Sequence, residues 1–349
     1  MAPMGTANIF AGCWRDLRSK PVWPAKKQIE RPLVTDSCLL TMNRADPKIV
    51  IVGRNGQLAW EANQRFQGLG QIVCVGRPEL DLLDLNGVRE EIRRIKPAVI
   101  VNAAAYTAVD QAESEPEAAM KINSEAPAAM AEEAKHLGAL FITYSTDYVF
   151  DGKSPAPYRE NDPTAPLNVY GASKLSGEKA VEDMGGSYLV FRTSWVYGAR
   201  GKNFLKTILK LAAERSELRI VDDQVGAPTW SRDLADATKT IIEQLLTKCE
   251  SENIPIGKAL GDHRGIYHMT AAGKVSWYGF ATAIVEEMQR RGLSQGSLAK
   301  IMPIPSSEYP TPAARPHNSQ LCNDKLKNAF GVALPPWPES IEAVMNELG

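Results

Sequence analysis

Short apolar runs alternate with amphipathic stretches through the middle of the chain. Lys48-Ile49-Val50-Ile51-Val52 reads as a buried strand closed by Gly53. The pattern then predicts a helix from Gly56 to about Gln67 and a second strand from Gln71 to Val75. Further strands are predicted over 98–101, 139–143 and 189–192. Ser114-Glu115-Pro116-Glu117 predicts the start of a long helix, with Ser114 as N-cap and proline early in the first turn. Another helix, carrying Tyr170 and Lys174, lies between the last two of these strands. Repeated βα units imply an α/β fold with a doubly wound parallel sheet over 47–195. Beyond about residue 195 the pattern loosens, and proline-rich stretches at 224–230 and 303–318 read as loops. Residues 196–349 are therefore expected to form a smaller C-terminal substrate-binding region, with some segments returning to the core.

Residues 1–46 break the pattern. Arg15, Arg18, Lys20, Lys26, Lys27 and Arg31 stand among prolines and tryptophans, without the apolar run of a secretory signal. Asp16, Glu30 and Asp36 argue against a transit peptide. The segment reads as a disordered tail, or as an extension from an early start codon with Met42 as the alternative start.

The formal net charge of −1 gives no general attraction to nucleic acid or an anionic membrane. No apolar run reaches the roughly 18 residues of a membrane span. Cys13, Cys38, Cys74, Cys249 and Cys322 are scattered and odd in number, which predicts reduced thiols and a cytoplasmic location. The four histidines, His136, His263, His268 and His317, form no ligand cluster.

Several segments carry candidate chemistry. In Gly53-Arg54-Asn55-Gly56-Gln57-Leu58 the glycines permit a tight strand-to-helix bend and close approach of backbone amides to a pyrophosphate. The final glycine of that fingerprint falls at Ala59, an accepted substitute, and the context of strand, turn and helix is the required one. This makes the core a Rossmann-type sheet. After the second strand comes Val75-Gly76-Arg77-Pro78, with no carboxylate before Glu79. Arg77, helped by Arg54, suits a 2′-phosphate, so NADPH is expected over NADH, which stays possible; otherwise Arg77 is a solvated loop residue. Asp84 and Leu85 are placed near the adenine, and Ala103, Ala104 and Ala105 along the cofactor backbone. Tyr170 and Lys174 stand at i and i+4, one helix face, where an ammonium would lower the tyrosine pKa toward that of a general acid. The apolar run ending in Tyr144-Ser145-Thr146-Asp147-Tyr148 supplies hydroxyls at a strand end. Order and spacing together describe a nicotinamide-dependent short-chain reductase.

Longer strings extend the likeness: Val101-Asn102-Ala103-Ala104-Ala105-Tyr106-Thr107, Arg192-Thr193-Ser194-Trp195-Val196-Tyr197, Asp223-Gln224-Val225-Gly226-Ala227-Pro228-Thr229 and Ala314-Arg315-Pro316-His317-Asn318. Over roughly 48–349 the chain resembles the dTDP-4-dehydrorhamnose reductases, extended short-chain dehydrogenases/reductases. The resemblance implies that Tyr170 protonates the substrate oxygen, Lys174 tunes it and holds the nicotinamide ribose, and Thr146 hydrogen-bonds the carbonyl. It implies substrate contacts from Asp147, Tyr148, Trp195, Arg315 and Asn318, and reduction of the 4-keto group of dTDP-4-dehydro-β-L-rhamnose to dTDP-L-rhamnose, with another nucleotide 4-keto-6-deoxy sugar as the alternative substrate. The competing roles are a backbone cap for Thr146, a turn for Asp147 and core packing for Tyr148 and Trp195. Some family members bind magnesium at a dimer interface through glutamates. Glu61 fits the first position, but Arg232 stands at a later one, and a cation cannot ligate a hard divalent metal. Magnesium is thus doubtful, and monomer and homodimer both remain open. A dehydratase would need glutamate where Tyr148 stands; an epimerase or a non-catalytic NADP-binding regulatory subunit on the same fold remain the rivals.

Overall fold

The computed structural model describes residues 46–293 and 296–348. The expectations for 1–46 therefore lie, but for Asp46, outside the described residues.

Six parallel strands form the central sheet: β1 (Lys48–Val52), β2 (Gln71–Val75), β3 (Val99–Asn102), β4 (Leu140–Thr146), β5 (Ser187–Thr193) and β6 (Gly265–His268). Their spatial order is β2-β1-β3-β4-β5-β6. The apolar runs are continuous because both faces are covered. Along β1, Ile49 and Ile51 join one core while Val50 and Val52 join the other, the two-residue period of a strand. Helices α1 (Gln57–Arg65) and α2 (Leu85–Ile95) go to opposite faces. With α2 lie α3 (Ala126–Leu137) and α4 (Val169–Met184); with α1 lies α5 (Ser231–Glu252).

The chain leaves β1 for β2 on one side and returns to β3 on the other, so the order reverses between β1 and β3. Ligands of open α/β sheets bind outside the strand C-termini at such a point. The register brings those ends level: Val52 lies beside Val75 and Asn102, Asn102 beside Thr143, and Thr146 beside Thr193.

Ser114 does not cap its helix. Its hydroxyl donates to the Gln111 carbonyl at 2.9 Å, and Glu115 occupies the N-cap position ahead of Pro116–Met120. The helix then passes through a π-helical turn, Lys121–Glu125, into α3. The loop expectations also need correction: Val225–Gly226 and Thr229–Trp230 are short strands, and Lys300–Ile304 pairs in parallel with Glu217–Val221. A third core unites this part, with Leu205, Ile208, Phe280, Ile284, Val344 and Met345 buried together. The segments Ser231–Glu252 and Gly265–His268 return to the main sheet.

Candidate active site

A cleft of about 930 Å³ opens at the switch point and runs from the glycine turn to α4. At its floor Gly53 has φ +109°, and a Cβ there would lie 3.0 Å from the Ala104 nitrogen. Only glycine combines that conformation with that approach. Gly56 caps α1 without any side-chain hydrogen bond, leaving the first amides of the helix open to an anion. A backbone cradle beside an uncapped helix N-terminus fits a dinucleotide pyrophosphate.

Gly53, Asn55, Gly56, Gln57, Leu58, Arg77, Ala103, Ala104 and Ala105 all line this cleft. Asp84 and Leu85 do not. Asp84 Oδ1 accepts from the Gly87 amide at 3.0 Å as the cap of α2, and Leu85 packs on the core beneath. Arg54 lines the cleft too, but its guanidinium is engaged: Nε and Nη2 donate to the Cys74 carbonyl, and Nη1 to both Glu79 carboxylate oxygens at 3.0 Å.

At the other end, Tyr170, Lys174, Thr146, Asp147 and Trp195 meet. Asn168 starts α4 by accepting from the Gly171 amide at 2.8 Å, which sets Tyr170 in the first turn and Lys174 one turn on. Thr146 Oγ1 accepts from the Tyr148 amide at 3.1 Å and lies 3.0 Å from Asp147 Oδ1, so it caps the turn after β4 and also faces the cleft. Its hydroxyl opposes the rise of the Tyr170 pKa; desolvation is larger and carries it up to about 12, with the Asp147 charge adding to it. Lys174 does not pull Tyr170 down, as the motif alone suggested. Its Nζ donates to the Tyr144 carbonyl at 2.6 Å, and burial lowers its own pKa to about 8, against the favourable field of Glu178. Tyr170 is therefore a protonated phenol at neutral pH. Burial raises the Asp147 carboxyl to about 6, with the Ser319 and Thr146 hydroxyls opposing.

Tyr148, Arg315 and Asn318 stand behind this wall and are not among its lining residues. Tyr148 meets Tyr170 edge-to-face at 5.6 Å. Arg315 pairs with Asp110 at 2.8 Å, leaving Nη1 buried and unpartnered. Asn318 is consumed by the backbone: its amide donates to the Ser154 and Ala156 carbonyls at 2.8 and 3.0 Å. Trp195 has φ +50°, costly for a bulky residue, and stacks on Trp277 with centroids 3.5 Å apart. Gly226 makes room: a Cβ there would come within 2.6 Å of the indole.

A model of the RmlD substrate binding domain matches residues 47–349. A dTDP-4-dehydrorhamnose reductase from Burkholderia thailandensis is 48% identical over 303 residues, covering 86% of this chain and 99% of that protein. Its Escherichia coli K12 counterpart is 43% identical over 304 residues, covering 86% and 97%. The crystal structure of dTDP-4-dehydrorhamnose reductase from Bacillus anthracis in complex with NADP superposes with a TM-score of 0.77 at 32% identity, covering 86% of this chain and 99% of that one. The chain belongs to the dTDP-4-dehydrorhamnose reductase family.

Within this reductase fold, two features escaped the sequence. Asn123, in the π-helical turn, accepts from the Tyr106 amide at 2.8 Å and donates to the Tyr106 carbonyl and Ser173 Oγ, both at 3.0 Å. It ties the loop after β3 to α4; a π-helical turn carries no signature in a single sequence. Asn203 caps the helix Phe204–Glu214 and donates to Gln57 Oε1 at 2.7 Å, joining the far wall to the glycine turn. Asparagine ahead of an apolar run was the available signal.

At Glu61, the first of the two positions weighed for magnesium, the structure shows an ion pair. Arg232 Nε donates to Glu61 Oε2 at 3.0 Å while Nη2 pairs with Glu347. A guanidinium already fills the place between these carboxylates, and that donor set does not fit a divalent cation. Among the described residues no cluster of His, Cys, Asp and Glu could hold a metal. Among them, too, no helix is long and apolar enough to cross a membrane.

Proposed function

We propose that this protein reduces the 4-keto group of dTDP-4-dehydro-β-L-rhamnose to give dTDP-L-rhamnose, with NADPH as reductant. The observation that carries the reading is the meeting of Tyr170, Lys174 and Thr146 in the cleft that also holds the glycine turn. NADPH, when bound, supplies the hydride. The turn from Gly53 to Leu58 holds the pyrophosphate, Ala103–Ala105 flank the cofactor, and Arg77 meets the 2′-phosphate. Lys174 holds the nicotinamide ribose.

Reduction of a ketone makes an alkoxide, so the site must stabilise developing negative charge and deliver one proton. Thr146 turns its one hydroxyl proton from Asp147 Oδ1 to the carbonyl oxygen. Tyr170 Oη transfers its proton to that oxygen as the alkoxide forms. A phenol with a pKa near 12 is fully protonated at neutral pH and remains a far stronger acid than the alcohol it makes. Trp195, fixed by Trp277, walls the sugar subsite. The Arg232 bridge to Glu61 and Glu347 occupies both carboxylates without a metal.

The test is NADPH consumption with the keto sugar as substrate, and NMR of the product. Formation of dTDP-L-rhamnose supports the reading. Cofactor binding without turnover would sink the rhamnose assignment and point to another keto sugar or to the regulatory reading.

A further inference from the structure

The adenosine end of the cleft contains a charge arrangement that a phosphate-binding role does not require. Arg54 and Arg77 both line it, yet their situations differ. Among the described residues Arg77 makes no ion pair. The Arg54 guanidinium is held on both edges, by the Cys74 carbonyl and by both oxygens of Glu79. The backbone fixes where this side chain starts: Arg54 N donates to the Val75 carbonyl at 3.1 Å, and a Cβ on Gly76 would lie 3.2 Å from Arg54 Cβ. Both charged groups stay open to solvent, at 42% and 51% exposure, so the pair can be broken by a competing anion.

We propose that Glu79 sets the cofactor preference by competing with the 2′-phosphate of NADPH for Arg54. This rests on the NADPH reading above. A bound 2′-phosphate must draw Arg54 Nη1 from Glu79 and then endure that carboxylate as a neighbour. The 2′-hydroxyl of NADH faces no such competition and can itself donate to a carboxylate. Glu79 thus weakens NADPH binding, leaves NADH untouched or favoured, and narrows the margin that two arginines alone would create.

The experiment measures dissociation constants for NADP+ and NAD+ by calorimetry. The proteins are the wild type, Glu79→Gln, Arg54→Ala and the double variant. Exposed ion pairs of this kind support a roughly two- to fivefold effect. Glu79→Gln should tighten NADP+ by that factor without tightening NAD+, and should have no effect when Arg54 is already alanine. An unchanged ratio in Glu79→Gln would overturn the proposal, as would an equal gain in the Arg54→Ala background. If the wild type failed to bind NADP+ at all, the NADPH reading itself would fall, a result distinct from either.

Discussion

Replacing Lys174 by methionine should stabilise the ligand-free protein at neutral pH while abolishing turnover. Lys174 is 5% exposed and its pKa falls from 10.5 to about 8, mainly through burial. The folded-state pKa lies below the unfolded one, so between about pH 8 and 10.5 the unfolded chain binds more protons. Stability must therefore rise with pH across that window, and below it the full penalty applies. At about 1.4 kcal/mol per pH unit the penalty is about 3 kcal/mol. The variant also loses the hydrogen bond to the Tyr144 carbonyl, worth about 1 kcal/mol, which leaves a net gain of about 2 kcal/mol at pH 7. Urea unfolding of both proteins from pH 7 to 10 measures the gap. Thiols and tyrosines titrate in both and cancel in the difference. The gap should narrow steadily above pH 8 and end in favour of the wild type. A gap that stays constant with pH would refute the reasoning, because the ammonium would then carry no burial penalty.

Thr146→Val should lower kcat by roughly 10²–10³-fold, the loss typical of one oxyanion donor, while Thr146→Ser keeps most of the rate; steady-state kinetics decide. Arg232→Met leaves the carboxylate of Glu61, only 2% exposed, without its cation and should cost about 2–3 kcal/mol in denaturant unfolding. Adding Glu61→Gln should recover most of that loss, and EDTA should leave the wild-type melting temperature unchanged. Gly177→Ala should destabilise by about 2 kcal/mol although alanine is the better helix former, because its Cβ would fall 2.0 Å from the Asn123 carbonyl oxygen; thermal melts compare the two.

Where local chemistry settles structure, the chain was readable. The strand runs announced themselves through unbroken apolar character, and the glycine turn through its position between a strand and a helix. What escaped depended on partners distant in sequence. Nothing adjacent to Asp84 distinguishes a helix cap from an adenine contact; the Gly87 amide decides it. Asn318 looked like a substrate group until the Ser154 and Ala156 carbonyls claimed its amide. The Tyr170 and Lys174 spacing correctly placed both on one helix face. It could not tell that Lys174 would turn to the Tyr144 carbonyl, 30 residues away, and that burial would push the Tyr170 pKa up. The Arg232 bridge needed three segments to meet: α1, α5 and the C-terminal helix Trp337–Leu348.

Tyr170 delivers the proton in the proposed reaction. The most direct measurement is single-turnover reduction of dTDP-4-dehydro-β-L-rhamnose by Tyr170→Phe, with the NADPH dissociation constant determined on the same sample. Cofactor binding should stay close to wild type while the rate falls by roughly 10²–10⁴-fold, the span of general-acid catalysis. A variant that binds NADPH normally and still turns over near the wild-type rate would contradict that role for Tyr170.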